Sequence, residues 1–254
     1  MRYAVAGGWV PLLAEPTHPT LMHPGTRDVD VLLMDEESAV QAAAKALLKA
    51  GFRPSAKHEF QLLRDARVGD YEFVFNVDLM HPNEAGSTPD TYNDIFDMGV
   101  NDAYDPRGSR FAKSIAFSSA AIVYEQNLFR TVEVSALDLD DVLTTVTLPI
   151  LAPSAAVLSK CESVKVPKRT RDAFDLYYLL TGENGEALGK ELRELGVAYP
   201  QVQGQLDHLK RFLEEQSDRF NQNVAQHARR WISSAAEDSF DRLFGRGLEP
   251  AAAL

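Results

Sequence analysis

Two aspartates alternate with valines in the run Asp-Val-Asp-Val-Leu-Leu at residues 28–33. A β-strand places successive side chains on opposite faces, with about 3.3 Å between consecutive residues. Asp28 and Asp30 therefore share one face, about 6.6 Å apart at their Cα atoms, while the intervening apolar side chains point into a core. Two carboxylates on one face repel each other unless a cation lies between them, and hard cations such as Mg²⁺ prefer oxygen ligands. The pattern indicates the metal end of a phosphoryl-transfer site.

A glycine pair, Gly7-Gly8, precedes this strand and is followed by Trp9. Glycines expose backbone N–H groups, and a helix beginning at Trp9 would add the positive end of its dipole, a combination that suits a triphosphate. A plain turn is the alternative. Thr26 and Arg27 directly precede the aspartates, and Arg27 could either contact phosphate or form a surface ion pair.

A third carboxylate ends the alternating strand predicted at residues 71–80. Asp78 lies there on the face opposite Phe73, Phe75 and Val77. If this strand lies beside the first, three carboxylates converge and could hold two cations about 3.5–4 Å apart, the spacing used for in-line displacement. For Asp78 taken alone, a solvent-facing strand end is the alternative.

Basic residues cluster between positions 160 and 171, where Glu162 is the sole acid. They are Lys160, Lys165, Lys168, Arg169 and Arg171. This stretch could be a solvated helix face, or a wall that contacts the triphosphate of an incoming nucleotide and neutralises the departing pyrophosphate.

Asp172 and Asp175 follow this basic stretch, three residues apart and hence on one face of the predicted helix. They could position Lys168 or Arg169, or reach the nucleotide sugar. They could also be ordinary first-turn carboxylates that complement the helix dipole.

The order of elements predicts an α+β fold in two parts. The first part has a helix at residues 36–50 capped by Gly51, strands at 58–64, 71–80, 117–124 and 131–134, and a long loop at 83–110. The second part is helical, with segments at residues 153–160, 170–180, 188–195, 206–215, 220–231 and 235–244, and a frayed tail after residue 249.

Composition limits the function classes further. The 254 residues are 45% hydrophobic and carry a net charge of −11, which argues against a generally nucleic-acid-coating surface but leaves a local basic groove open. The single Cys161 excludes an intrachain disulfide and fits a reducing cytoplasm. No apolar stretch approaches the ~20 residues of a membrane span, and the interrupted N-terminal stretch does not fit a signal peptide. We therefore expect a cytoplasmic protein without a membrane partner.

These motifs resemble the polymerase-β-type nucleotidyltransferase superfamily, whose signature is a Gly-Gly or Gly-Ser pair, a short helix, Asp-x-Asp and a later lone Asp. Within it, Lys160 followed by Arg-Asp-Ala-Phe-Asp at residues 171–175 resembles the abortive-infection toxins of the AbiEii type. The resemblance spans roughly residues 3–180.

The resemblance implies a nucleotidyltransferase head with a mixed β-sheet and flanking helices at residues 1–148. It also implies an α-helical domain at residues 149–254 that completes the nucleotide site. The implied reaction is Mg²⁺-dependent transfer of a nucleotidyl group from an NTP, with release of pyrophosphate, at a two-metal site. Relatives act as toxins of toxin–antitoxin pairs, and some modify the 3′ end of tRNA. The implied partners are therefore an NTP, a tRNA or protein acceptor and a cognate antitoxin.

The resemblance also assigns roles to individual residues. Asp28 and Asp30 would bind metal, and Asp78 would bind metal or accept the proton of the attacking hydroxyl. Gly7 and Gly8 would hold phosphate. The further candidates for binding the nucleotide are Thr26, Arg27, Lys160, Lys168, Arg169, Asp172 and Asp175.

Two other functions stay open at this point. Gly-Gly-Trp followed by Arg-Asp-x-Asp also recurs in enzymes that nucleotidylate aminoglycoside or lincosamide antibiotics, and an acidic surface would favour such a cationic acceptor. The chain could instead be a catalytically silent nucleotide-binding protein, but the intact set of Asp28, Asp30 and Asp78 argues against this.

Overall fold

The structure has the α+β architecture that the sequence predicts, with a mixed sheet and a helical C-terminal region. The computed structural model describes residues 3–14, 18–33, 37–55, 61–82, 94–97, 111–117, 119–137 and 142–245. Two compact units divide the chain. The sheet unit comprises Met1–Val10 and Thr26–Ala152, and the helical unit comprises Pro11–Gly25 and Pro153–Leu254.

The sheet unit contains nine strands and two complete helices in its described part. The strands are β1 (Tyr3–Ala6), β2 (Asp28–Leu33), β3 (Arg53–Pro54), β4 (Gln61–Val68), β5 (Tyr71–Pro82), β6 (Asp94–Asp97), β7 (Phe111–Phe117), β8 (Phe129–Leu137) and β9 (Leu143–Leu151). The helices are α2 (Glu37–Lys49) and α3 (Ala120–Glu125). A short helix, α1 (Trp9–Leu13), follows β1.

The strands form a mixed sheet in the order β3-β4-β5-β2-β1-β9-β8, and β7 pairs with both β5 and β6. The central neighbours β2 and β5 run parallel, whereas β1 runs antiparallel to β2. A hairpin joins β4 and β5 through a turn at Gly69 and Asp70, where the sequence predicted it.

One face of this sheet packs against α2 to form the core of the unit. The fully buried members of this cluster are Leu33, Val40, Ala43, Ala44, Leu62, Val77 and Leu79. Val29 and Val31 pack against the same cluster, which confirms that the apolar side chains alternating with Asp28 and Asp30 turn toward a core.

Helix α2 ends as predicted at Gly51, which has a φ of +88°. The adjoining N–H groups of Gly51 and Phe52 bond to Leu48 and Leu47, respectively.

The helical unit is built around one buried helix. Its helices are α4 (Pro153–Ser163), α5 (Thr170–Thr181), α6 (Gly185–Ala198), α7 (Pro200–Glu215), α8 (Ser217–Ala228) and α9 (Ala235–Phe244). Every residue of α5 between Asp172 and Leu180 is buried, and α5 packs against α4, α6, α8 and α9. A carboxylate on α5 therefore needs partners inside the helical unit.

In the described part of the chain, no helix is both long and apolar enough to cross a membrane.

Three sequence predictions about the elements need correction. The predicted strand at residues 117–124 is wrong, because β7 ends at Phe117 and α3 occupies Ala120–Glu125, where it buries Ala120, Ile122 and Val123. The predicted loop at residues 83–110 contains β6, and the remainder of that segment lies outside the described residues. The strand β9 was not predicted; it pairs antiparallel with the preceding strand β8 and parallel with β1.

The unit boundaries also differ from the predicted division at residues 148 and 149. The sheet unit continues to Ala152, because β9 runs through Pro149 to Leu151. Pro11–Gly25 joins the helical unit, which the sequence did not predict. Residues 56–60 and 246–254, which include the first part of one predicted strand and the predicted frayed tail, lie outside the described residues.

The α2 cluster makes a direct prediction about stability. Leu79 is 1% exposed, so Leu79→Ala should lower the free energy of unfolding by about 2–5 kcal/mol through lost burial and a cavity. The matched control is Leu137→Ala, because Leu137 is 65% exposed and its truncation should change stability by less than about 0.5 kcal/mol. Chemical denaturation would measure both values. Equal losses in the two variants would contradict the assignment of this core.

Candidate active site

The carboxylates predicted to converge lie on neighbouring strands of the sheet unit. In the parallel pair of β2 and β5, Asp30 is the register partner of Asp78, and Asp28 is the partner of Asn76. Register partners on adjacent strands point to the same face and lie about 4.8 Å apart. Asp28, Asp30 and Asp78 therefore share the face opposite the α2 core, with Asp30 and Asp78 side by side.

The three carboxylates differ in their exposure. Asp28 is exposed, Asp30 is half-buried, and Asp78 is only 8% exposed. Gln61, the neighbour of Asp78 on β4, donates a hydrogen bond from Nε2 to Asp78 Oδ2 at 3.3 Å. Asp78 is thus buried and oriented by a side-chain amide, and is not a solvent-facing strand end.

The glycine turn contacts this row of carboxylates directly. Gly7 has a φ of +63°, and a Cβ atom added there would overlap the Asp30 carboxylate. The turn leads into α1 with Val10 N–H bonded to the Gly7 carbonyl at 3.3 Å, so the predicted helix at Trp9 is confirmed. Gly8 is partly buried in the same turn. A residue other than glycine at position 7 could not bring the backbone this close to Asp30.

Two further contacts fix the approach to Asp28. Trp9 Nε1–H donates to the backbone carbonyl of Asp28 at 2.9 Å, which ties the glycine turn to the start of β2. Thr26 Oγ1 donates to the same carbonyl at 3.4 Å. Arg27 is exposed, which leaves both of its predicted roles open.

A metal ion at this row would be held by Asp28, Asp30 and Asp78. Carboxylate oxygens suit a hard divalent cation such as Mg²⁺, and the register of β2 and β5 supplies them from one face. Within the ranges that the structure describes, however, no three His, Cys, Asp or Glu side chains are arranged to hold a metal ion. The two-metal site therefore stays a prediction.

The second predicted group of residues forms a buried ion network in the helical unit. Lys160 on α4 is 5% exposed, and its Nζ lies 2.9 Å from Asp172 Oδ1 and 2.7 Å from Asp175 Oδ2. The two aspartates thus pair with Lys160. Lys168 and Arg169, which they were predicted to position, are exposed in the loop that precedes α5.

The charges in this network hold one another in the ionised form. Burial alone would raise the pKa of the Asp175 carboxyl, but the Lys160 charge and hydrogen bonds from His23 and Lys160 lower it to about 2. Burial would likewise lower the pKa of the Lys160 ammonium, and the two aspartates instead raise it above its usual range. The Lys160 ammonium therefore stays protonated and forms ion pairs with both carboxylates.

One member of this network, His23, was missed at the sequence level, and a second, Arg171, was predicted only as part of the basic stretch and of the motif at residues 171–175. His23 is buried, its Nδ1 accepts the Gly25 N–H at 3.3 Å, and its Nε2 donates to Asp175 Oδ1 at 3.1 Å. Arg171 Nε lies 3.7 Å from the same Asp175 oxygen, and its guanidinium donates to the Gly25 carbonyl. Pro24 directly follows His23, and no spacing in the sequence links His23 to Asp175.

His18 holds the same segment on α5 at a second point. Its Nδ1 accepts the N–H groups of Thr20 and Leu21, each at 3.1 Å, and its Nε2 lies 3.1 Å from Thr181 Oγ1. Burial and the charge of Arg230 lower the pKa of His18, which favours the neutral ring that these bonds require. Bonds from His18, His23 and Arg171 therefore hold residues 18–25 within the helical unit.

No model of a known protein family matches this chain, and no curated protein matches it either. Membership of the nucleotidyltransferase superfamily stays a prediction that rests on the motifs and on the geometry just described.

The contact between Gly7 and Asp30 predicts that alanine at position 7 lowers the free energy of unfolding more than alanine at position 51 does. Gly7 and Gly51 both have a positive φ, but a Cβ atom at Gly51 meets open space. Gly7→Ala should therefore cost about 1–3 kcal/mol more of the free energy of unfolding than Gly51→Ala, because Asp30 must move. Urea denaturation of the two variants measures the difference, and equal costs would contradict the contact.

The low pKa of Asp175 predicts a loss of stability in acid. Because the folded pKa lies below the ordinary 3.8, the stabilisation is complete above about pH 5 and disappears as the pH falls toward about 2. The effect should be on the order of 2 kcal/mol in the free energy of unfolding. Asp175→Asn should flatten this pH dependence, whereas Asp70→Asn, at a fully exposed side chain, should not. Parallel pH profiles for the unchanged protein and Asp175→Asn would contradict the assignment.

Proposed function

We propose that this protein is a Mg²⁺-dependent nucleotidyltransferase that moves a nucleotidyl group from an NTP to a hydroxyl acceptor. The observation that supports this most strongly is the register of β2 and β5, which sets Asp30 beside Asp78 on a face bordered by the Gly7 turn. Carboxylates next to a glycine turn are the combination that a metal-bound triphosphate requires.

Each part of this row has a role in the proposed reaction. Asp28 and Asp30 hold the metal, and Asp78 either shares it or accepts the proton of the acceptor hydroxyl. Mg²⁺, when bound, polarises the phosphoryl oxygens and neutralises their developing charge. The hydrogen bond from Gln61 orients the Asp78 carboxylate through Oδ2. The backbone of Gly7 and Gly8 faces the phosphates.

The proposed chemistry is a single displacement at the α-phosphorus. The acceptor oxygen forms a bond to this phosphorus, and the bond from the phosphorus to the β-phosphate oxygen breaks. Pyrophosphate leaves with the electron pair, and the hydroxyl proton passes to Asp78 or to water. In the structure the Lys160 ammonium is bound by two carboxylates, so a direct role at the triphosphate stays a prediction for Lys160, as it does for Asp172 and Asp175.

We further propose that the acceptor is the 3′ end of a tRNA or a protein hydroxyl, and that the protein is the toxin of a toxin–antitoxin pair. A cognate antitoxin would then be its partner. This part rests on the motif at residues 171–175 and on the preceding lysine, which resemble the AbiEii-type toxins.

A second candidate function is nucleotidylation of a cationic antibiotic. The net charge of −11 favours it, because an acidic protein attracts a positively charged small molecule. The chemistry at the carboxylate row would be the same, and only the acceptor would differ.

The test is nucleotidyl transfer from each labelled NTP in the presence of Mg²⁺, with total tRNA, cell lysate or an antibiotic panel as acceptor. Asp28→Asn and Asp30→Asn should each lower transfer at least about 100-fold, since metal-assisted charge stabilisation is worth several kcal/mol. Asp70→Asn is the matched control, because it removes an exposed carboxylate from the same sheet without touching the row.

The acceptor that takes up label decides between the two candidate functions. Label in tRNA or protein supports the toxin function, and label in the antibiotic supports the second candidate. Removal of Mg²⁺ by a chelator should stop either transfer. Transfer that does not depend on Asp28, or no transfer to any acceptor, would overturn the proposal and leave a catalytically silent protein.

A further inference from the structure

Two segments of the helical unit carry cations without any acid, in a chain whose net charge is −11. Residues 163–171 contain four Lys and Arg residues, and residues 225–234 contain two. Neither segment contains an Asp or a Glu, and neither does the segment at residues 18–25. Asp and Glu make up 37 of the 254 residues. If the fold brings these three acid-free segments together, the cations of two of them form a local basic surface.

Hydrogen bonds do join these three segments. His227 Nε2 lies 3.0 Å from Thr170 Oγ1, which brings the end of α8 to the residue that follows Lys168 and Arg169. Arg230 Nη2 donates to Thr20 Oγ1 at 3.4 Å, which brings the third segment to the same place. The two basic segments therefore adjoin each other, and residues 18–25 adjoin the second of them.

Four of these cations are available to a ligand. Lys168, Arg169, Arg229 and Arg230 are all exposed. Within the described ranges, none of the four forms an ion pair. The nearby aspartates of α5 do not neutralise them, because Asp172 and Asp175 are buried and paired with Lys160.

An aromatic side chain stands next to these cations. Trp231 is 66% exposed and directly follows the two arginines. Two hydrogen bonds from the buried Asn221 side chain anchor the loop that carries Trp231. Asn221 donates to the Ser233 carbonyl at 2.8 Å and accepts the Ala236 N–H at 2.8 Å. The left-handed conformation of Arg229, with a φ of 55°, ends α8 just before this loop. An exposed indole on an anchored loop is a preformed stacking platform.

We propose that the two basic segments of the helical unit bind a single-stranded polynucleotide. The Trp231 surface, as we name it, consists of Lys168, Arg169, Arg229, Arg230 and Trp231. The four cations contact successive phosphates, and the indole stacks on one base. The inference does not depend on the proposed transfer reaction, since it concerns binding alone.

The chemistry favours a polynucleotide over other anionic partners. Phosphates and bases alternate along a single strand, so a strand satisfies the arginines and the indole together. An acidic peptide would use the cations but would leave the indole without a stacking partner. An anionic membrane presents headgroup charges but no bases on which the indole could stack.

The test is fluorescence anisotropy with labelled single strands of about 20 nucleotides, a length that exceeds the usual site size of such surfaces. One arm uses RNA and a second uses DNA, which share the backbone and base chemistry. The protein carries Asp28→Asn, and neither NTP nor Mg²⁺ is present, so binding is measured apart from transfer. With four phosphate contacts, the slope of log K against log salt should be about −3 for a single strand.

Three variants separate the parts of the Trp231 surface. Trp231→Ala should weaken binding roughly 5- to 100-fold, and Trp231→Phe should retain most of the affinity because the ring still stacks. The double variant Arg229→Gln/Arg230→Gln should flatten the salt slope by about 1.4. The matched control Lys190→Gln/Arg211→Gln removes two exposed cations from α6 and α7 of the same unit and should leave binding unchanged.

Binding of RNA or DNA strands with these changes supports the proposal. Wild-type affinity in both Trp231→Ala and the double arginine variant would overturn it. Equal affinity for polyglutamate or for phosphatidylserine vesicles would also overturn it, in favour of a general anion site. Melting temperatures of all variants would exclude unfolding as the cause of any loss. Failure of nucleotidyl transfer would not affect these measurements.

Discussion

The parallel register of β2 with β5 is the constraint on which the candidate site depends. It sets Asp30 beside Asp78 and, on the opposite face, Val31 beside Leu79. A slip of one residue would turn carboxylates toward the α2 core and valines toward the site, so the burial of Leu33, Val77 and Leu79 also fixes the row of aspartates. The core therefore specifies where the row of carboxylates lies, although no core residue belongs to that row.

A second constraint operates in the helical unit, where one ammonium lies between two buried carboxylates. An ion group of this kind is costly to desolvate, and it persists only because each member satisfies another. Lys160 pairs with Asp172 and Asp175, and His23 Nε2 donates a further hydrogen bond to Asp175. The network thereby ties a segment from the N-terminal part of the chain to α5, a sequence separation of 152 residues.

The sequence predicted the local elements well where periodicity and caps agree. It located α2 with its glycine cap, the β4–β5 hairpin and helix α9, since each is encoded by neighbouring residues. It was wrong about the strand predicted at residues 117–124, where helix α3 forms from Ala120 and buries one of its faces. In the site it predicted Asp28, Asp30, Asp78 and Gly7, but it missed Gln61 and His23, because a register partner and a remote hydrogen bond leave no local pattern.

The sequence alone determined which residues could do chemistry, because an aspartate pair in an apolar strand and a glycine pair before a helix are local patterns. Only the tertiary structure decided which of them meet. Asp78 became a neighbour of Asp30 through strand pairing, and Lys160 became a buried partner of Asp172 and Asp175 through the packing of α4 on α5. The physical reason is that side-chain alternation and helical periodicity act over a few residues, whereas register and burial depend on contacts between distant parts of the chain.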